Sequence, residues 1–346
     1  MRPLRFHALS LLALPALLAA CRSSETTNMS PLTAGSAGQA GASSSAGGAD
    51  GGSSSAGAAG MAAGSGSGGA PLQAGSAGLA LGPFSSCVVG SDQLVRCAGR
   101  CGPTGKGGSR EQAPAGLLAE AVAVGREFAC ALLMTPQAGS LVQCWGAGTG
   151  AEAPPIADAV EIVAGDEHAC ARSAQGAVTC WGDAAHAAPA DVVAKALAAS
   201  GAMTCAIVAD DSVRCWGHRP VEPPADLRAS KLSVSSQLTD AKLGPRFGCA
   251  VTLGGDVRCF GDDPGQVQMV PAGLKAKAIA TGRSNACAIA LDDTVSCWGL
   301  APRYGTPLPA GLKASALALS FRSAGAVGLD GTLSFWGDTS DGRSNL

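Results

Sequence analysis

From residue 71 onward, short runs of small and branched apolar residues alternate with polar ones, and Gly, Pro and Ser separate the runs. AVAVG (121–125) shows the two-residue period of a half-buried strand rather than the 3.6-residue period of a helix. After each run comes a pair of cysteine-bearing segments, as in HACARSAQGAVTCWG (168–182), CAIVADDSVRCWG (205–217), CAVTLGGDVRCFG (249–261) and CAIALDDTVSCWG (287–299). Each unit therefore predicts one strand followed by a hairpin.

The units share one template: a proline, a Gly or Ser eleven residues on, then the two cysteine positions with an aromatic and a glycine after the second. The prolines are Pro71, Pro114, Pro154, Pro189, Pro224, Pro271 and Pro309, and their partners are Gly82, Gly125, Gly165, Ser200, Ser235, Gly282 and Ser320. Seven all-β units of 35 to 47 residues predict a seven-bladed β-propeller over 71–346, with blades starting near those prolines.

If the two cysteines of a hairpin face each other, the nine residues between them leave a loop of odd length. Three residues ending in a left-handed position are the favoured solution. Gly176, Gly255, Gly331, Asp211 and Asp293 fall at that third position and suit positive φ. Gln93 is the exception, and the longer loop MTPQAGS (134–140) falls outside the rule. Facing positions come within disulfide range. The expected bridges are Cys87–Cys97, Cys130–Cys144, Cys170–Cys180, Cys205–Cys215, Cys249–Cys259 and Cys287–Cys297, with Cys101 left over as a competitor of Cys97 for Cys87. In the seventh unit Gly325 and Phe335 occupy both positions, and this paired loss favours a bond over two independent core thiols.

Trp145, Trp181, Trp216, Phe260, Trp298 and Trp336 follow the second cysteine position, with Ala98 in the first unit. A row of exposed rings could stack on sugars. The common register argues instead that each ring fills the same space between blades, supplying apolar area that alanine-rich strands lack. The glycine after the ring recurs in every unit, as a close approach or sharp exit requires.

Composition divides the chain. The leader MRPLRFHALSLLALPALLAACRSS has two arginines, an apolar run too short to span a bilayer comfortably, and small residues before Cys21. Leu18-Ala19-Ala20-Cys21 resembles a bacterial lipobox, which implies a signal peptide over 1–20 and lipidation at Cys21. Residues 22–70 are Gly, Ala and Ser-rich and cannot offset ordering entropy by burial, so 21–70 is expected to be a lipidated, disordered tether reaching about 40 Å. The expected location is exported and membrane-anchored through lipid, at the outer membrane or cell surface. That compartment favours disulfides over reduced thiols. A net charge of −2 provides no footprint for nucleic acid.

GDEHACARSAQGAVTCWG (165–182) and its six counterparts resemble the repeats of the regulator of chromosome condensation family. The resemblance covers roughly 71–346 and implies a seven-bladed propeller. The glycine-rich segment usual after the Trp-Gly is matched only by GDDPGQV (261–267) and GDTSDGRSNL (337–346). The name-giving member exchanges nucleotide on a nuclear GTPase, an activity that does not transfer to an exported lipoprotein lacking any matching catalytic motif. A secreted relative of this fold inhibits β-lactamase, which implies that the face of a propeller can serve as a binding platform.

There is no phosphate loop, zinc signature or Ser-His-Asp set, so no metal, cofactor or catalytic residue is expected. His168, two residues before Cys170, occupies a position filled elsewhere by Ser85, Phe128, Met203, Phe247, Asn285 and Ser323, which reads as structural or exposed. Three insertions, 100–112, 134–140 and 236–244, are candidates for partner contact because rigid frames carry recognition on loops. The expected function is a monomeric, non-enzymatic platform for a protein or other envelope macromolecule. The alternatives are an inhibitor of an exported hydrolase and an enzyme of unrecognised type.

Overall fold

A computed structural model describes residues 78–99, 112–300 and 307–340 apart from short breaks at 138, 184–186, 219, 237 and 240–241, together with Ser344 and Leu346. The leader, Cys21, the tether, Pro71 and Cys101 lie outside the described residues.

Over the described residues the architecture is all-β: seven three-stranded antiparallel sheets, each ordered inner, middle, outer along the chain. The inner strands are Leu79–Leu81, Ala119–Val124, Ala159–Ala164, Ala194–Ser200, Ala229–Ser235, Ala276–Thr281 and Ala314–Leu319. The middle strands are Ser85–Val89, Phe128–Gln137, His168–Ser173, Met203–Val208, Phe247–Thr252, Asn285–Ala290 and Ser323–Gly328. The outer strands are Val95–Gly99, Ser140–Gly146, Val178–Gly182, Val213–Gly217, Val257–Gly261, Val295–Gly299 and Leu333–Gly337. Each inner strand lies against the inner strand of the next blade, and the seventh lies against the first, closing the ring. Among the described residues the ring closes without exchanging strands between blades. Its first strand begins at Leu79 and pairs within its own blade.

Six middle-to-outer hairpins have the expected three-residue loop. In the third blade Ser173 N–H donates to Ala177 O at 2.9 Å and Gly176 N–H to Ser173 O at 3.0 Å. The third loop residue is left-handed in all six, at Gly176, Gly255, Gly331, Asp211, Asp293 and also Gln93, whose φ is 63°. Gln93 thus departs from the rule in residue type but not in backbone. A reason lies in the next blade: the carbonyls of Gln93, Gly176, Asp211, Gly255 and Asp293 accept the N–H of Ala119, Ala194, Ala229, Ala276 and Ala314, the first residues of inner strands. The left-handed turn accompanies a hydrogen bond between blades, so even a glutamine is held there.

The proline before an inner strand opens a tight turn, with Leu117, Val192, Leu227, Leu274 and Leu312 N–H donating to the carbonyls of Pro114, Pro189, Pro224, Pro271 and Pro309. One residue further into each inner strand from the second to the seventh blade is a bulge, which shifts the register between Ala159 and Glu161 and at the equivalent positions.

The six cysteine pairs stand directly opposite one another and are bonded, with Cα atoms 4.0–4.1 Å apart. Each bridge shares a packed cluster with the aromatic residue of the following blade: Cys87–Cys97 with Trp145, Cys130–Cys144 with Trp181, Cys170–Cys180 with Trp216. The series continues with Cys205–Cys215 and Phe260, Cys249–Cys259 and Trp298, Cys287–Cys297 and Trp336. At the seventh joint both partners change together. Blade one has Ala98 in place of an aromatic, and blade seven fills the space with Phe335, packed with Leu79 and Val88. A Cβ on the facing Gly325 would stand 2.9 Å from the Phe335 ring, so that position has to be small.

The glycine after each aromatic serves both roles expected of it. Gly182 has φ 96°, and a Cβ there would lie 2.3 Å from Glu167 O, in the turn between the inner and middle strands. Asp183 N–H then donates to that same carbonyl at 3.3 Å.

Candidate binding faces

The blade connections define two ends. The inner-to-middle turns lie at one, the middle-to-outer hairpins at the other. The insertion 236–244 belongs to the inner-turn end, where Leu238–Thr239 and Lys242–Leu243 pair as a short additional hairpin. The insertion 134–140 belongs to the hairpin end and lengthens the second blade, with Gln137 paired to Ser140. Ser140 anchors its base: its hydroxyl donates to the Val142 carbonyl at 3.0 Å and accepts the Val142 and Ile156 N–H, both at 3.0 Å. The third insertion leaves the outer strand at Gly99, which pairs with Ser85 at the inner-turn end; residues 100–111 themselves are not among those described.

Turns at the inner-turn end are joined from blade to blade. Arg126 N–H donates to Asp166 O at 3.1 Å, and Asp166 N–H to Gly201 O at 2.7 Å. Burial raises the Asp166 carboxyl to about 6, against the attraction of Arg126 and together with the repulsion of Glu167. In the sixth and seventh blades Arg283 and Arg322 approach the Phe321 ring, with guanidinium carbons 4.4 and 5.3 Å from its centre. His168 is fully buried rather than exposed, and its Nε2 lies 2.7 Å from Thr204 Oγ1 of the next blade. Its role is to tie two blades together.

A buried charged cluster escaped the sequence reading. Glu161 and Arg172 face each other on the inner and middle strands of the third blade, where other blades pair Ala121 with Leu132, Ala196 with Ile207 and Ala278 with Ile289. Arg172 Nε donates to Glu161 Oε2 at 2.6 Å, and Leu197 N–H of the fourth blade donates to Oε1 at 3.2 Å. Burial pushes the Glu161 carboxyl up, opposed chiefly by Arg172 and also by Lys231 of the fifth blade. Burial in turn lowers Lys231, opposed by Glu161. The signal was present in the polar Glu161 within ADAVEIVAG, but strand alternation alone does not separate a buried charge from a solvated one.

The aromatics expected between blades are there. Trp181, Trp216, Phe260, Trp298 and Trp336 are buried and Trp145 is half-buried. Trp181 and Trp298 donate their indole N–H to Gly150 O and Val267 O, in the linkers that precede their blades, at 2.9 and 2.8 Å. Among the described residues, no group of three His, Cys, Asp or Glu could hold a metal ion, and no helix is long and apolar enough to cross a membrane.

Residues 159–186, the third blade, match the family model of the regulator of chromosome condensation (RCC1) repeat. Over these residues the chain carries one copy of that repeat. No curated protein sequence matches it. Among solved structures it is similar to the CRINKLY WD40 ectodomain of the receptor kinase ACR4 from Arabidopsis thaliana, at 24% identity and a TM-score of 0.61, covering 76% of this chain and 95% of that one. The ectodomain of the receptor kinase CR4 from Physcomitrella patens matches at 24% identity and a TM-score of 0.58, covering 73% and 70%. A chain in the structure of Kap60 bound to yeast RCC1 (Prp20) matches at 15% identity and a TM-score of 0.50, covering 65% and 70%. These likenesses agree with the propeller in fold; function has to be argued from the faces.

Proposed function

We propose that this RCC1-repeat propeller is an exported, lipid-tethered and non-catalytic platform that holds a protein partner at the cell envelope. The single observation that carries the reading is a closed ring, stapled in six blades, from which two sequence insertions project as hairpins at opposite ends. A frame of this kind holds loops in place, so little conformational freedom is lost when they bind. The six disulfides are consistent with an extracellular or exported protein. The lipobox-like Leu18–Cys21 supports anchoring, and the tether over 22–70 supports a ring standing clear of the membrane surface. Two of the similar structures are receptor ectodomains, and a third comes from a complex with another protein, which supports partner binding as the use of the face.

Two experiments test the parts separately. Cys21→Ser should move the full chain from the membrane fraction to the soluble fraction, and an unchanged distribution would remove the anchor from the account. Replacing 236–244 by a two-residue turn should abolish chemical cross-links to a partner on intact cells without changing thermal stability. Retained cross-links would remove recognition from that loop.

A further inference from the structure

The hairpin end carries a row of leucines that the frame does not need. The first residue of the three-residue loop is Leu253, Leu291 and Leu329 in blades five, six and seven, exposed at 62, 64 and 57%. At the same register blades one, three and four carry Ser91, Ala174 and Ala209, so the turn itself makes no demand for a large apolar side chain. Around the rest of this end, Leu118, Val160 and Val193 are also exposed at or beside the starts of inner strands.

The leucines are held in place. Each loop is closed by two backbone hydrogen bonds, as in Ala290 N–H to Thr294 O and Asp293 N–H to Ala290 O, and its third residue is left-handed. Leu253 and Leu291 N–H also donate to Arg228 O and Lys275 O at 3.3 Å. Apolar tips on preorganised turns are suited to a partner that buries them at low entropic cost.

The charges around them choose between occupants. Asp292 and Asp330 follow two of the leucines directly, and Thr294 and Thr332 donate to them through hydroxyl and backbone N–H, holding both carboxyls below the ordinary range. These tips are therefore ionised at neutral pH, and burying them among lipid chains is penalised. Other charges of this end are already matched, in Lys275–Asp256 at 2.7 Å, Arg258–Asp226 at 2.9 Å and Lys277–Asp293. Apolar tips flanked by ionised Asp292 and Asp330, among charges otherwise paired, have the mixed make-up of a protein interface.

We infer that the leucine arc of blades five to seven is a docking surface for a folded protein whose contact surface is apolar, with hydrogen-bond donors or cations opposite Asp292 and Asp330. The inference deepens the platform reading and rests on it, but it uses neither insertion. The test places a photo-cross-linking amino acid at Leu291 or Leu329 of the full chain in the cells that make it, with Ser91 and Ala174 as controls on the same end. One defined protein should be joined from 291 and 329 and not from the controls. Binding of that purified protein should weaken about 100-fold or more in L253S/L291S/L329S, because three buried leucines are lost. Since the changed side chains are exposed, the triple variant should melt within about 2 °C of the parent. Adducts only with lipid, adducts only with a second copy of this chain, no adduct at all, or unchanged affinity in the triple variant would each overturn the inference. Chemical cross-links retained in the 236–244 variant, together with the adduct at 291, would leave the arc standing and move recognition away from the loop.

Discussion

Trp181 donates its indole N–H to Gly150 O at 2.9 Å, and the two residues lie on opposite sides of the joint between the second and third blades. The ring packs in one cluster with the Cys130–Cys144 bridge, Phe128 and Ile156. Five further joints repeat the pairing of a bridge with the next blade's aromatic. A bridge therefore stiffens its own hairpin and also forms part of the surface against which the next blade packs.

Trp181→Ala should destabilise the protein by about 3 to 5 kcal/mol through lost packing. Trp181→Phe should cost about 1 to 3 kcal/mol, mainly from the orphaned Gly150 carbonyl. Urea unfolding of both variants under oxidising conditions checks the order.

The exceptional seventh joint can be converted to the common pattern. Gly325→Cys alone should destabilise, since its Cβ would meet Phe335 at 2.9 Å. Together with Phe335→Cys and Ala98→Trp it should form a seventh bridge and restore the melting temperature to the parent value or above. Free-thiol titration and calorimetry on the single and triple variants measure this.

Removing one partner of the buried pair, as in Arg172→Ala, should cost about 3 to 5 kcal/mol because Glu161 is left uncompensated. Glu161→Ala with Arg172→Leu reproduces the Ala121–Leu132 pairing of the second blade and should fall within about 1 kcal/mol of the parent. A double-mutant cycle separates this from two independent losses.

Asp166 gives stability a pH dependence of definite sign. Its carboxyl is raised to about 6 in the folded protein from an ordinary value of 3.8, so the folded state holds the proton more tightly. Between about pH 4 and 6 its contribution to stability falls as pH rises. Asp166→Asn should flatten that slope in chemical denaturation; an unaltered slope would assign it to other groups, Glu161 first.

The repeat, its hairpins and its cysteine partners were legible because each depends on local spacing. An odd loop places Cys170 opposite Cys180, and a ring at one register must fill one kind of space. Gln93 was misleading because a hydrogen bond to Ala119 of the next blade accompanies its left-handed backbone, and the sequence carries no mark of that bond. Glu161 and His168 were likewise hidden, since their burial depends partly on the next blade, where Leu197 N–H donates to Glu161 and Thr204 lies against His168. The leucine arc was overlooked for a different reason. Leu253, Leu291 and Leu329 stand beside turn residues where any side chain is tolerated, and only the closed ring shows them exposed on one end.

Peptide mapping of the unreduced, exported protein tests the stapled ring most directly. The account predicts six disulfide-linked peptide pairs, each within one hairpin, at Cys87–Cys97, Cys130–Cys144, Cys170–Cys180, Cys205–Cys215, Cys249–Cys259 and Cys287–Cys297. Peptides joined between different blades, or these cysteines recovered as free thiols, would contradict it.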